Sequence, residues 1–190
     1  MRNNYYILRH GQAHSNTKKI VSCWPEKFHN PLTLKGKEQI RSAAQKLKTK
    51  NIDLIFASDV LRTRETAEIV DREIGVKPEY DKRLRERNFG IFNNRPIQEL
   101  SNFLPNRQDR FTKNPPKGET YRDLQKRMYS FLKEIDKEYS NKTILIISHQ
   151  LNLMLLDAKI NKISDKDFIK KYFRSKRFDT GKFNKLSSIK

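Results

Sequence analysis

The sequence predicts an α/β fold with a mostly parallel sheet, and three observations carry that prediction. Short apolar runs of strand length alternate with longer stretches of helical period from Tyr5 onward. The run Thr143-Ile144-Leu145-Ile146-Ile147 is almost continuously β-branched and apolar, as expected of a central strand buried on both faces. Three apolar runs end in residues able to do chemistry: Arg9-His10, Ser58-Asp59 and Ser148-His149. In a parallel sheet such ends share one rim, where open α/β sheets bind ligands.

The elements follow in order. Tyr5-Tyr6-Ile7-Leu8 reads as a buried first strand, after which the chain turns on Gly11, where a side chain would obstruct close backbone approach. After a loop, Thr33 is placed as the N-cap of a helix whose Ile40, Ala43, Ala44 and Leu47 fall on one face. Gly36 sits in its first turn, where helix propensity matters least. Leu54–Ala57 is a second buried strand, and a second helix runs from about Leu61 to Glu73, with Gly75 at its C′ position. Pro78-Glu79-Tyr80 is a candidate short strand, and the charged stretch Leu84–Gly90 reads as a loop. Pro96 to Gly118, rich in Pro, Asn and charge, is expected to hold one or two short helices and a covering loop. Thr120 opens a long helix, with Asp123 completing a variant capping box and Asn141 closing it. Beyond the central strand come an apolar helix from Leu151 to Ala158, a helix from about Ser164 to Phe173, and a weak edge strand from Phe183 to Ile189.

At 190 residues the chain is expected to form one domain, residues 1–190. Hydrophobic content is low (35%) and charged content high (33%), but the regular periodicity argues against disorder. The single cysteine, Cys23, excludes an internal disulfide and a cysteine-rich zinc site, and fits a reducing compartment. It reads as a small loop or core residue, since nothing near it in sequence lowers its pKa. No apolar run approaches the roughly 18 residues of a membrane span, and Tyr5–Leu8 is too short for the core of a secretory leader. A cytoplasmic location is the expectation. The net charge of +19, from 41 basic and 22 acidic residues, attracts anions. Because Lys is spread through every segment, nucleic acid is not the expected partner. The stretch Lys159–Lys190, with Lys170, Lys171, Arg174, Lys176 and Arg177 set against Asp165, Asp167 and Asp179, is expected to form a positive surface, most simply a solvated helix face.

The strand ends together bring Arg9, His10, Ser58, Asp59, Ser148 and His149 to one rim, with Arg62 in the first turn of the helix that follows. Two arginines and two histidines without a carboxylate cluster disfavour a divalent cation, and no metal is expected; phosphate fits better. Among the remaining histidines, His14 is either a substrate contact or a solvated loop residue, and His29 reads as a loop residue. Trp24 either walls the pocket or packs over the sheet end.

These motifs resemble the histidine phosphatase superfamily, which includes the cofactor-dependent phosphoglycerate mutases. Leu8-Arg9-His10-Gly11 with Asn16 resembles the opening signature, and Pro31-Leu32-Thr33 with Gly36 and Gln39 the segment after it. Ser58–Thr63 with Thr66-Ala67, Leu84-Arg85-Glu86 with Phe89-Gly90, Gly118-Glu119-Thr120 and Ser148-His149 follow in the expected order. Each is weak alone; in register along nearly the whole chain they are specific. The resemblance implies a three-layer α/β/α fold with a mixed, mostly parallel sheet. It implies a small phosphorylated substrate, no cofactor, and metal-independent phosphomonoester hydrolysis through a phosphohistidine on His10. Arg9, Arg62 and His149 would bind the phosphoryl oxygens, Asn16 would add a hydrogen bond, and Glu86 would serve as acid and then base. Gln150 stands where the family often has glycine and offers a side-chain donor; Ala13 replaces a common small hydroxyl residue. A phosphate beside Glu86 would raise its pKa, and the two arginines would keep His10 unprotonated. The rival readings are a phosphoglycerate-type mutase, with Arg95, Arg107 and Arg110 able to reach substrate, and a non-catalytic module binding a phospho-ligand or nucleic acid.

Overall fold

The computed structural model describes residues 1–173 and 175–186. Strands β1 (Asn4–Arg9), β2 (Leu54–Ala57), β3 (Pro78–Tyr80), β4 (Thr143–Ser148) and β5 (Phe183–Leu186) form a sheet in the order β3-β2-β4-β1-β5. Every pairing is parallel except β1 with β5, which is antiparallel, so the sheet is mixed and mostly parallel, with β4 at its centre.

Strand alternation sorts the core into two layers. On one face Ile55, Ala57, Leu145, Ile147 and Leu8 pack with Ile40, Ala43, Ala44 and Leu47 of α2 (Leu34–Leu47) and with Ala67 and Val70 of α3 (Leu61–Ile74). On the other, Tyr5, Ile7, Phe56, Ile144 and Ile146 meet α5 (Tyr121–Glu138), α6 (Gln150–Ile160) and α7 (Asp165–Tyr172). Two further helices lie outside these layers, α1 (His14–Thr17) in the turn after β1 and α4 (Ile97–Phe103) in the covering region.

Local signals set the helix starts as expected. Thr33 accepts from the Gly36 N–H, and Thr120 and Asp123 form a reciprocal capping box. Gly75 takes the left-handed conformation after α3 (φ 73°). At Gly36 the structure adds a steric requirement to the propensity argument: a Cβ there would lie 2.1 Å from the Gln12 carbonyl oxygen. A Cβ on Gly11 would lie 2.5 Å from the Gly36 carbonyl oxygen, so the turn after β1 is pressed directly onto α2.

One boundary and one short element differ from expectation. Asn141 does not close α5: the helix ends at Glu138, and Tyr139 is already extended, its ring centroid 6.3 Å from that of Phe56. Asn141 instead takes a left-handed turn into β4 (φ 59°), its N–H donating to the Arg2 carbonyl. The short helix α1 was not anticipated, because it has neither an apolar period nor a polar cap residue; Asn16 builds it by accepting from the Ala13 N–H. The edge strand is observed over Phe183–Leu186, and residues 187–189 of that expectation lie outside the described residues, as does Arg174 of the basic stretch. Within that stretch Arg177 pairs with buried Asp157, which also accepts from Tyr172, while Phe168 and Tyr172 are buried. Among the described residues no helix is long and apolar enough to cross a membrane.

Candidate active site

Parallel pairing brings the three strand ends to one rim. The His10 N–H donates to the Ser148 carbonyl (3.1 Å) and the Ser58 N–H to the Ile147 carbonyl (3.1 Å), so the ladder continues one residue past each strand. Beyond that rim lies a cavity of about 220 Å³ lined by Arg9, His10, Asn16, Arg62, Glu86 and Gln150. His149 stands behind this lining, fully buried, its ring edge-on to His10 at 5.2 Å. His14, His29 and Trp24 do not line the cavity: both histidines are exposed, and Trp24 stacks on the Arg85 guanidinium at 4.1 Å.

The hydrogen bonds fix both imidazole tautomers. The His10 Nδ1 lies 2.7 Å from the Gly11 carbonyl, which only accepts, so Nδ1 carries the proton and the lone pair is at Nε2. Burial, reinforced by Arg62 and Arg9, holds the His10 pKa well below its ordinary value. For His149 the logic reverses. Arg62 Nη2, which only donates, lies 3.2 Å from Nδ1, so Nδ1 accepts and Nε2–H faces the Ser58 hydroxyl at 3.2 Å. Burial and Arg62 keep this ring neutral as well.

Arg62 is buried in the first turn of α3, donating to Glu26 (3.0 Å) and to the Ser22 carbonyl (3.1 Å). Arg9 donates to the Phe178 carbonyl (3.1 Å), and its buried Nε has no partner among the described residues; burial lowers its pKa to about 10. Glu86 accepts from the Arg87 N–H (2.8 Å) and places Oε2 4.0 Å from His149 Nδ1. Burial pushes the Glu86 pKa up, against the pull of Arg62 and Arg9. The protein itself therefore supplies the direction of shift that the sequence reading assigned to bound phosphate. Cys23 is buried and its thiol pushed up to about 11, chiefly by burial, so it is not poised as a nucleophile.

Sequence reasoning missed two of the residues that hold the Glu86 loop, Asn152 and Arg127. Asn152 of α6 donates to the Arg85 carbonyl (2.6 Å) and the Leu84 carbonyl (3.2 Å). Ser148 donates to the Leu84 carbonyl (2.7 Å), and Arg127 of α5 to the carbonyls of Arg83 (2.6 Å) and Glu86 (3.0 Å). No local signal marks Asn152 or Arg127; only a polar residue on an otherwise apolar helix face hints at them. Arg85 is bound by both oxygens of Asp59 (2.6 and 2.7 Å), which holds the Asp59 carboxyl below its usual range.

The opposite wall is the cover. Arg107 and Arg110 line the cavity, as does Arg87, which the sequence reading did not single out; Arg95 does not, and pairs with Glu99 instead. Arg87 is 1% exposed, with Nη2 unpartnered among the described residues and the guanidinium 4.9 Å from the Tyr121 ring. Among the described residues no group of three or more His, Cys, Asp or Glu side chains is placed to hold a metal ion.

The histidine phosphatase superfamily (branch 1) matches residues 5–174. The Escherichia fergusonii protein named "Probable phosphoglycerate mutase GpmB" is 31% identical over 160 residues, covering 82% of this chain and 73% of that protein. Among solved structures, Bacillus stearothermophilus YhfR superposes with a TM-score of 0.77 at 26% identity, covering 87% of this chain and 83% of that one. The alpha-ribazole phosphatase from Shigella flexneri superposes with a TM-score of 0.78 at 22% identity, over 96% and 89%; at that identity the likeness speaks for the fold. With its motifs in register, its strand-end histidines and a match over most of its length, the chain belongs to the histidine phosphatase superfamily, branch 1.

Proposed function

We propose that this chain, acting as one domain over residues 1–190, is a metal-independent phosphomonoester hydrolase that works through a phosphohistidine on His10. The observation that carries the reading is the bond from His10 Nδ1 to the Gly11 carbonyl, which leaves a lone pair at Nε2 on a neutral ring beside Arg9 and Arg62. In this reading Nε2 attacks phosphorus as the ester P–O bond breaks, and Glu86, its pKa raised by burial, gives its proton to the leaving oxygen. The alcohol departs. Water then attacks the phosphohistidine, the P–N bond breaks, and Glu86 takes the proton from the water.

Arg9 and Arg62 stabilise the phosphoryl oxygens, with Asn16 and Gln150 as further donors at the rim. His149 has no free N–H facing phosphate, because Nδ1 accepts from Arg62. A bound dianion supplies the missing condition: it draws the Arg62 guanidinium to itself and favours protonation of His149, which then donates. A small phosphorylated substrate fits the cavity volume.

A specific observation favours a second reading, a phosphoglycerate-type mutase. Arg87, Arg107 and Arg110 make the cover cationic, which suits a substrate carrying another anionic group besides its phosphate. A non-catalytic module is disfavoured by the retention of His10, Glu86 and His149 together. The test is ³¹P NMR of the chain with a phosphoglycerate after extensive treatment with a chelator. Release of inorganic phosphate at an undiminished rate supports the hydrolase; interconversion of isomers faster than phosphate release promotes the mutase. A rate that requires added magnesium or zinc removes the metal-independent mechanism.

A further inference from the structure

Glu26 lies in the loop between α1 and α2, 36 residues before Arg62 and in none of the motifs, yet its carboxylate ends on the central guanidinium. Oε1 accepts from Arg62 Nη1 at 3.0 Å, and Oε2 accepts from the Leu61 N–H at 3.0 Å. Leu61 is the first residue of α3, and its N-cap, Val60, has no side-chain acceptor to offer. One carboxylate from another loop therefore caps the helix and tethers the arginine in its first turn. The same guanidinium donates through Nη2 to Ser22 and to His149, so it is held from three sides. A buried cation needs a counter-charge, and Glu26, together with Glu86 when that carboxyl is ionised, sustains the charge of Arg62. Glu26 is itself largely covered, its side chain 14% exposed, so its own field is weakly screened.

We infer that Glu26 is a positioning residue for Arg62 whose negative charge also limits how tightly the site retains a phosphate dianion, easing product release. The inference rests on the phosphomonoesterase reading. A dianion bound at Arg62 meets Glu26 across one guanidinium, and the like charges repel. The two possible roles of Glu26 predict opposite signs. If it only holds Arg62 in place, any loss of its contacts weakens phosphate binding. If it also restrains binding by charge, a neutral residue that keeps an acceptor oxygen strengthens it.

The experiment uses the full chain with Glu26→Gln, and with Glu26→Asp and Glu26→Asn as a second pair of equal length that differs in charge. Inorganic phosphate is measured as a competitive inhibitor of p-nitrophenyl phosphate hydrolysis, and its binding is measured directly by calorimetric titration, which needs no turnover. The expected result is an inhibition constant for phosphate about threefold lower or better in Glu26→Gln, with KM falling in parallel and kcat falling as phosphate release slows. Glu26→Asn should bind phosphate more tightly than Glu26→Asp by a similar factor, which keeps the test alive if Glu26→Gln does not fold. Unchanged or weaker phosphate binding in the neutral variants overturns the inference while leaving the hydrolase reading intact. A wild-type chain that neither binds phosphate nor hydrolyses the ester sinks both.

Discussion

Across one cavity, the strand-end wall and the covering wall are held by different means. His10, Arg62 and His149 are 3%, 2% and 0% exposed, and the backbones beside them are fixed by the parallel ladder of β1, β2 and β4. The cover, from Arg87 through α4 to Phe111, rests its middle on a separate small cluster of Val21, Phe92 and Leu100. Ile97 and Phe103 of α4 are 52% and 48% exposed. Arg107 stacks on Phe173 at 4.1 Å, and Arg110 is held by the Leu104 carbonyl. The lesson is a division of labour. In the proposed mechanism, the groups that would meet the reacting phosphorus sit at or just past strand ends or in the first turn of the helix after one, whereas those that would read the rest of the substrate sit on a segment whose middle has fewer buried apolar partners and whose local opening costs less.

The largest test of that division is His10→Ala. Losing the nucleophile should cost more than about 10³-fold in kcat, or roughly 4 kcal/mol, and abolish an acid-labile, base-stable phosphoenzyme trapped with a fast-turnover ester. Activity within tenfold of the wild type would move the nucleophile elsewhere. Glu86→Gln comes next, with an effect that depends on the leaving group. Alkyl phosphates, which need protonation to depart, should lose about 10²-fold or more, while the phosphorylation step with p-nitrophenyl phosphate suffers less. Equal losses for the two would show that Glu86 is not the acid in that step.

Arg107→Ala probes the cover. Its loss in kcat/KM should be about tenfold larger for phosphate esters carrying a second anionic group than for p-nitrophenyl phosphate, the ~1.4 kcal/mol of a charged hydrogen bond. Equal losses would erase the distinction between the walls. The smallest effect concerns stability. His10 and His149 are buried neutral, with native pKa values well below the 6.5 of the unfolded chain. Below pH 6.5 the unfolded state takes up protons that the native rings refuse, so stability falls as pH drops, by at most about 1.4 kcal/mol per pH unit for each ring. Urea unfolding at pH 7.5 and 5.5 should show the decline, and it should be shallower in His149→Asn. An equal slope in that variant would show that the wall's histidines do not set it.

Much of this architecture is written locally. The run from Thr143 to Ile147 reads as a central strand because every residue must be apolar when both faces are covered, and it pairs on both sides. Thr33, Thr120 and Gly75 announce helix ends because caps act within three or four residues. Arg9 and His10 are legible as a strand end and Arg62 as the first turn of the helix after one, while Glu86 is picked out only by the resemblance of its loop to the family's; the fold gathers all four at one cavity. The end of α5 was misplaced because Tyr139 leaves the helix to pack near Phe56, a contact that no neighbour in sequence reports.

The alternation of strands and helices and the rim at which their polar ends meet were legible in the sequence alone, since each depends on period, turn or spacing within a few residues. Tertiary structure alone decided the protonation and the partners of the side chains at that rim. It settled which nitrogen of His10 carries the lone pair, because the Gly11 carbonyl is the partner, and it raised the Glu86 pKa, because desolvation is a property of the packed fold. It set Glu26 on Arg62, Asn152 and Arg127 on the Glu86 loop, and Arg87 in the cavity wall. Charges and hydrogen-bond partners brought together from distant segments interact only once the chain between them has folded, and no local pattern encodes them.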